Sequence, residues 1–239
     1  MLFPLKDDNP TRRTAVVTIL FISINAVAFV YLNFMAPRPP EYYIDSSALI
    51  PWEITHFQNA SLPVQNSRGH TVGSFQRTIA PYQSLISSMF MHGSLMHILG
   101  NMLFLWIFGN NIEDHLGKIR FILFYLLSGI IASLIHTLFH PSSLVPVIGA
   151  SGAVSGVMGA YLVLYPRARI RTLVFLFIII TTVDIPASVF LIIWFVFQFF
   201  NAGGGEGIAW LAHVGGFLAG IVLLWLLQNQ KKPHIEFIK

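Results

Sequence analysis

The chain has 239 residues, of which 55% are hydrophobic and only 10% are charged. Because a soluble domain carries about 25% charged residues, this composition excludes an ordinary soluble domain and indicates a membrane protein. The sequence contains no cysteine, which excludes disulfides, thiol catalysis and a cysteine-ligated metal.

Apolar segments of spanning length predict an all-α membrane protein with six transmembrane helices, forming one domain over residues 1–239. The predicted spans are about 14–34, 86–109, 119–139, 147–165, 186–201 and 208–228. The first span is longer than a signal-peptide core and no cleavage site follows it, so we expect a retained anchor. Pro186 favours a helix start for the fifth span, and residues 172–184 are then predicted as a membrane-embedded or interfacial connector.

A long polar loop over residues 36–85 separates the first two spans, and a loop of this length is usually functional or partly helical. With six spans, most of the 14 basic residues lie on the side of the termini. That side has Lys6, Arg12, Arg13, Lys118, Arg120, Arg167, Arg169, Arg171, Lys231, Lys232 and Lys239; the other has Arg38, Arg68 and Arg77. The positive-inside rule therefore predicts cytoplasmic termini, and a seventh span would spoil this partition.

Polar residues occur inside the second, fourth and sixth predicted spans, near the outer end of each. They are His92, His97, Asn101, Ser151 and His213. Polar side chains in a bilayer usually face a protein interior or a water-filled cavity. Three parallel spans with such residues at similar depth therefore predict one wet pocket open to the outer face.

Ser151 and His213 suggest a nucleophile and its base. A serine hydroxyl needs an adjacent base to accept its proton, and histidine suits that task near neutral pH. Glycines four residues apart on both segments, such as Gly152 and Gly156, would let the two helices approach closely. The alternatives are that Ser151 is only one of several small packing residues and that His213 is a structural histidine.

His97 and Asn101 lie four residues apart, on one face of a helix. An amide and an imidazole N–H can both donate to a tetrahedral oxyanion, and the Ser151 backbone N–H can add a third donor. We expect His92 to make a structural hydrogen bond to the outer loop. Asp184, the one acid inside an apolar stretch, is predicted to lie too far away to complete a triad, so we infer a Ser–His dyad.

Two other kinds of site use the same residues. Three histidines can bind zinc, but His92 and His97 are five residues apart with no acid nearby, unlike the H-E-x-x-H pattern of zinc hydrolases. A transporter or channel would use the polar pocket as a pathway. However, the polar residues stop in the outer half of the predicted spans.

Three motifs in this order resemble the rhomboid intramembrane serine proteases. They are Gly-Ala-Ser-Gly at 149–152, His-Gly-Ser-Leu-Met-His-Ile-Leu-Gly-Asn at 92–101 and Ala-His-Val-Gly-Gly at 212–216. The segment from Asn101 to Gly117 is also similar to the family's second span and the loop after it. The resemblance covers essentially the whole chain, in the compact six-helix form of bacteria and archaea.

The resemblance implies a serine endopeptidase with Ser151 as nucleophile, His213 as base, and His97 and Asn101 as oxyanion donors. It implies a transmembrane-protein substrate cut in or near its membrane helix after a small residue, with lateral entry beside the fifth span. It implies no cofactor, no metal and no nucleic acid partner. We expect a multi-pass protein of the cell membrane with its site open to the outer face; the alternative is a non-cleaving rhomboid-like protein that binds transmembrane helices.

The chain departs from the family pattern at two places. The Trp-Arg pair often found in the first loop aligns with Gln83-Ser84, which leaves open how the loop is held. The aromatic residue often found four positions after the nucleophile is Ser155 here. One hypothesis is that Ser155 orients His213 directly or through a water; the alternative is that it only continues the small packing face.

Overall fold

A computed structural model describes residues 2–65, 71–77, 79–176, 179–200 and 209–228 and shows a mostly helical protein. The helices are α1 Val16–Val30, α2 Pro40–Ser47, α3 Pro51–His56, α4 Pro81–Ser87, α5 Leu95–Leu116, α6 Lys118–Phe139, α7 Ser151–Leu164, α8 Ala187–Phe200 and α9 Trp210–Leu227. The strands are β1 Leu2–Asp7, β2 Ser61–Gln65, β3 Thr71–Gln76, β4 Arg169–Leu176 and β5 Ile179–Pro186.

Within the described ranges, four helices are long and apolar enough to cross a bilayer. They are α1 with its π-helical extension to Met35, α5, α6 and α9. The helices α7 and α8 are equally apolar but have only 14 residues each. The predicted ends of the last two spans at residues 201 and 208 lie outside the described residues, as do Arg68, Lys231, Lys232 and Lys239 of the charge partition.

The fold is mostly helical, as expected for a bundle of membrane helices, and the chain also forms two small antiparallel sheets that were not predicted from the sequence. One sheet has the order β1-β4-β5, and the other pairs β2 with β3. In the stretch 172–184, predicted as a membrane-embedded or interfacial connector, residues 172–176 belong to β4 and residues 179–184 to β5, which pair antiparallel. Along β4, exposed Arg169 and Arg171 alternate with buried Ile170 and Thr172, which is the period of a strand with one covered face.

Asp184 lies on β5 in this sheet, where it faces Arg171 and forms an ion pair with it at 3.0 Å. The sheet follows the carboxyl end of α7, and Ser151 is at the amino end. A helix of 14 residues is about 20 Å long. Asp184 therefore belongs to a surface ion pair, remote from Ser151.

The second predicted span begins later than expected. The chain from residue 81 forms α4, then a 3₁₀ turn at Ser88–Phe90, and α5 begins only at Leu95. The Ser94 hydroxyl accepts a hydrogen bond from the His97 backbone N–H at 3.2 Å and caps α5. This cap places His97 in the first turn of the helix.

The loop between α1 and α5 contains α2, α3, α4 and the hairpin of β2 and β3, and it is held by a buried ion pair. Arg77 Nη1 lies 2.7 Å from Glu53 Oε2, and both side chains are fully buried. Arg77 also donates to the Ala48 carbonyl, while Glu53 accepts from the Ala60 N–H. Burial raises the pKa of Glu53 and lowers that of Arg77, and their pairing opposes both shifts. Arg77 thus ties several segments of the loop together, whereas Gln83 and Ser84 bond to Ala80 and Pro81 at the start of α4.

Helix α7 lies in the centre of the bundle, and eleven of its residues, from Gly152 to Leu164, are buried. Its glycines face those of α9 so closely that a methyl group on Gly216 or Gly220 would overlap the carbonyl oxygen of Gly152 or Gly156. This glycine contact brings the two backbones together, as small residues do between membrane helices.

At the other end of the bundle, buried Glu113 and half-buried Asp7 hold α1 and β1 against α5 and α7. The Glu113 carboxylate of α5 accepts the N–H groups of Val17 and Thr18 at the start of α1. Asp7 of β1 accepts the Tyr161 hydroxyl at 2.6 Å. A carboxylate at a helix N-terminus accepts hydrogen bonds from its unpaired N–H groups. The bonds to Glu113 therefore fix the position of α1 along α5.

Candidate active site

Ser151 is the first residue of α7, directly after a sharp turn at Gly149. Gly149 has φ +118°, a conformation that residues with a side chain rarely adopt. Its N–H donates to the Ser88 carbonyl at 2.9 Å, which ties the turn to the segment before α5. In this first turn the backbone N–H groups lack helical partners and are available to an oxyanion.

The hydroxyl of Ser151 makes a hydrogen bond to the ring of His213. Ser151 Oγ lies 2.8 Å from His213 Nε2, although the two residues are 62 positions apart in the chain. His213 is in the first turn of α9, where its N–H donates to the Ala209 carbonyl. The structure therefore brings together the two residues that the sequence predicts as nucleophile and base.

His97 and Asn101 of α5 lie on the other side of the Gly149 turn. A methyl group built on Gly149 would be 2.6 Å from His97 Nε2 and 3.6 Å from Asn101 Nδ2. Only a glycine leaves room for these two side chains beside the start of α7. Their donor atoms thus converge on the turn that carries the Ser151 N–H.

His92 contacts Asn101, and not the outer loop as expected. Asn101 Nδ2 lies 3.0 Å from His92 Nε2, and both side chains are buried. An amide nitrogen can only donate, so the His92 Nε2 atom accepts this bond. The bond to His92 holds the Asn101 amide in place. The second N–H of that amide is free to donate to another acceptor.

Gln198 of α8 is the site residue that sequence reasoning missed. Its Oε1 atom lies 2.8 Å from His213 Nδ1, and its side chain is buried. The signal was an amide in the middle of the apolar segment Phe195-Val-Phe-Gln-Phe-Phe200, since a polar residue inside a membrane helix often marks a functional site.

The Ser155 hydroxyl does not bond to the ring of His213, so Ser155 does not orient the base directly; orientation through a water stays a prediction. Its hydroxyl donates to the Ser151 carbonyl at 2.6 Å, one turn earlier in α7. The side chain is buried on the small-residue face of the helix. The ring near His213 comes from α8, where Trp194 lies 6.1 Å away between centroids.

A cavity of about 1060 Å³ opens onto these residues. Residues of the site that line it are His97, Asn101, Gly149, Ser151, Trp194, Gln198 and His213. In the part of the chain that the structure describes, no three His, Asp or Glu side chains are close enough to hold a metal ion. The polar groups that face the cavity include a serine, an imidazole bonded to it and hydrogen-bond donors, which together suit acyl transfer.

The family model that describes the rhomboid domain matches residues 80–230. This range contains every site residue named above, from His92 to His213. The matched range also covers more than half of the chain.

Several curated proteins are similar to the chain over the same region. Rhomboid protein 1, mitochondrial, of Saccharomyces cerevisiae is 33% identical over 158 residues, which cover 61% of this chain and 42% of that protein. RHOMBOID-like protein 6, mitochondrial, of Arabidopsis thaliana is 35% identical over 159 residues, covering 64% and 46%. Presenilin-associated rhomboid-like protein A, mitochondrial, of Danio rerio is 28% identical over 169 residues, covering 64% and 40%. The chain spans less than half the length of these relatives.

Proposed function

The chain belongs to the rhomboid family and is a multi-pass membrane protein, and we propose that it is an intramembrane serine endopeptidase. The observation that carries the proposal is the 2.8 Å hydrogen bond between Ser151 Oγ and His213 Nε2, which faces the cavity. A serine buried only for packing needs no base at its hydroxyl. A nucleophilic serine does.

In the proposed reaction, Ser151 Oγ attacks the carbonyl carbon of the scissile peptide bond and its proton passes to His213 Nε2. The carbonyl oxygen becomes an oxyanion, which accepts hydrogen bonds from the Ser151 N–H, His97 and Asn101. When the C–N bond breaks, His213 donates the proton to the leaving amine. Water then attacks the acyl ester with His213 as base, and Ser151 leaves with its proton restored.

We propose a six-span topology with cytoplasmic termini, in which α7 and α8 are the two short spans. The site supports this topology, because His97, Ser151 and His213 each lie in the first turn of α5, α7 and α9 respectively. Three parallel spans would put these turns at one level of the membrane. The basic residues of β4 and of the start of α6 lie toward the other end, which would be cytoplasmic.

The proposed substrate is another membrane protein, cut in or near its transmembrane helix. A peptide bond inside a helix is inaccessible until the helix unwinds locally, because its amide and carbonyl groups are paired. Substrates with helix-weakening residues near a small residue should therefore be cut faster. The proposed location is the cell membrane, in the compact form found in bacteria and archaea, although the relatives named above are mitochondrial.

A non-cleaving protein that binds transmembrane helices is the second candidate, because several relatives are named only as rhomboid-like. Such a protein would have the cavity and the fold without a need for the dyad. The two candidates therefore differ in whether the Ser151 hydroxyl is reactive.

Labelling with a serine-reactive fluorophosphonate separates the candidates. We expect the detergent-solubilised wild type to be labelled and to cut a transmembrane substrate in proteoliposomes. Ser151→Ala should do neither while still binding that substrate. The binder would be favoured if the folded wild type bound substrate and remained unlabelled and inactive. If Ser151→Ala cut as fast as the wild type, the protein would cut without Ser151, and its assignment as nucleophile would be wrong.

A further inference from the structure

Gln198 has contacts that suit one task, and we propose that it is the positioning residue that holds His213 in the tautomer required of the base. This inference depends on the proposed function, since it explains how the proposed base is oriented. Gln198 lies on α8, and its side chain is only 5% exposed. Its amide makes two hydrogen bonds, one through each end.

The two ends of the Gln198 amide are distinguished by the Trp194 carbonyl. The Nε2 atom of Gln198 donates to Trp194 O at 2.9 Å. A carbonyl oxygen can only accept, so turning the amide over would place two acceptors against each other. The Oε1 atom must therefore point toward His213.

The orientation of the amide decides which nitrogen of His213 carries the proton. Gln198 Oε1 lies 2.8 Å from His213 Nδ1 and can only accept a hydrogen bond. Nδ1 must therefore be the protonated nitrogen. A neutral imidazole has one N–H, so Nε2 has a free lone pair.

That lone pair faces the nucleophile. His213 Nε2 lies 2.8 Å from Ser151 Oγ, and a general base must present an acceptor to the proton that it removes. The opposite tautomer would present an N–H to the hydroxyl and would be unable to accept its proton. The chain of contacts from Trp194 O through Gln198 and His213 thus ends at a serine poised to lose its proton.

Gln198 occupies the place of the carboxylate in a Ser–His–Asp triad but is neutral. The carboxylate of such a triad holds the tautomer and also stabilises the imidazolium by its charge. A neutral amide supplies the first effect, and its dipole supplies little of the second. Among the described residues, no acid contacts His213, so orientation from Gln198 explains how a dyad works without a third charged group.

Two substitutions of similar size test the inference. Gln198→Met keeps the length and removes the acceptor, whereas Gln198→Glu keeps an oxygen acceptor in either protonation state. We expect Gln198→Met to lower kcat by about tenfold or more with KM unchanged. Gln198→Glu should stay within a few-fold of the wild type. Val196→Met, at an α8 residue that is 46% exposed, is the matched control and should behave like the wild type.

A measurement independent of turnover is the imidazole ¹⁵N spectrum of histidine-labelled protein, with His213 assigned by its loss in His213→Asn. The wild type and Ser151→Ala should both show the Nδ1–H tautomer, and Gln198→Met should shift toward Nε2–H. The tautomer measured in this way tests the inference even if Gln198→Glu does not fold. A predominant Nε2–H form in the wild type, or Gln198→Met with wild-type kcat, would overturn the inference.

The same experiments separate this inference from the proposed function. If the wild type neither cuts substrate nor reacts with the phosphonate, the proposed function fails whatever the tautomer. If the wild type cuts, Ser151→Ala is inactive and Gln198→Met is fully active, only the role of Gln198 is wrong.

Discussion

Helix α9 carries His213, and two of the helices packed against it, α7 and α8, contact it in very different ways. Toward α7 the contact is between backbones, because Gly152, Gly156 and Gly159 leave no side chains between the helices. Their partners on α9 are Gly216, Phe217 and Gly220. Such a contact has little freedom to adjust, since backbone atoms cannot change rotamer.

Toward α8 the contact is made by side chains. Phe195 and Trp194 pack on Phe217, with ring centroids 4.8 and 6.1 Å apart, and Gln198 reaches His213. Much of the helix faces outward, through exposed Val189, Ile192, Val196, Phe197, Phe199 and Phe200. The difference indicates two tasks. The α7 contact sets the distance from nucleophile to base, and the α8 contact sets the orientation of the base.

The largest expected effect comes from removing the pair that the α7–α9 contact holds together. Ser151→Ala and His213→Ala should each lower single-turnover cleavage in proteoliposomes by about 10⁴-fold or more, and the double variant should be scarcely worse. The two groups act as one unit, because the base is useless without the nucleophile. Losses that add in the double variant would mean that the residues act separately.

Adding bulk to the α7–α9 contact should break it. Gly216→Val would push a side chain into the Gly152 carbonyl and should lower the free energy of unfolding in mixed micelles by about 3 kcal/mol. The matched change on α8 is Val196→Leu at an exposed position, which should stay within about 0.5 kcal/mol of the wild type. Equal stability of the two variants would show that the α7–α9 contact tolerates added bulk as well as the exposed face of α8 does.

The loop ion pair lies apart from the contacts that α7 and α8 make with α9, so its loss should change stability more than chemistry. Arg77→Leu leaves the Glu53 carboxylate buried without its partner and should cost about 3 kcal/mol of unfolding free energy. Combining it with Glu53→Gln should recover part of this loss. The kcat of the folded fraction should remain near that of the wild type; a large fall in kcat would show that the loop takes part in the chemistry.

Asn101 lies on α5, the third helix that contributes residues to the site. Asn101→Ala should lower kcat by about 10²-fold, as the loss of one oxyanion donor does, while the protein remains folded. Leu99→Ala, at a 52% exposed position of the same helix, is the control. Wild-type turnover by Asn101→Ala would exclude that side chain from the oxyanion site.

The smallest effect should come from Ser155, the hydroxyl on the α7 side. Ser155→Ala removes only a bond to the Ser151 carbonyl and should change kcat by less than about twofold, far less than Gln198→Met. Measured together, the two variants show which helix orients the base. If Ser155→Ala lost as much activity as Gln198→Met, the orientation would come from α7 and not from α8.

Local patterns in the sequence led directly to Ser151, His213, His97 and Asn101. Each is a polar residue in an apolar segment, and each lies beside glycines or at helical spacing from another polar residue. His92 was located equally well, but its partner was misjudged, and for Ser155 the structure favours the alternative of a packing residue. A hydrogen bond of a side chain depends on what another segment places beside it, and spacing along one helix does not contain that information.

The sheet was missed for a related reason. Apolarity alone predicted that residues 172–184 lie in or on the membrane, although Arg169-Ile-Arg-Thr172 alternates as a strand does. A strand pairs only if another strand is within reach, and the partner β1 lies at the far end of the chain, over Leu2–Asp7. The composition of each segment by itself does not show that β1 and β4 pair.

The sequence by itself determined that this is a membrane protein and which helices can lie close together, because hydropathy and the spacing of glycines are properties of single segments. It also determined which residues have the chemistry for the site. Only the tertiary structure decided that Gln198, and not Ser155, faces His213 Nδ1, and that Arg77 pairs with Glu53. The physical reason is that a hydrogen bond or an ion pair requires two groups within about 3 Å, and such distances between remote segments exist only after the helices have packed.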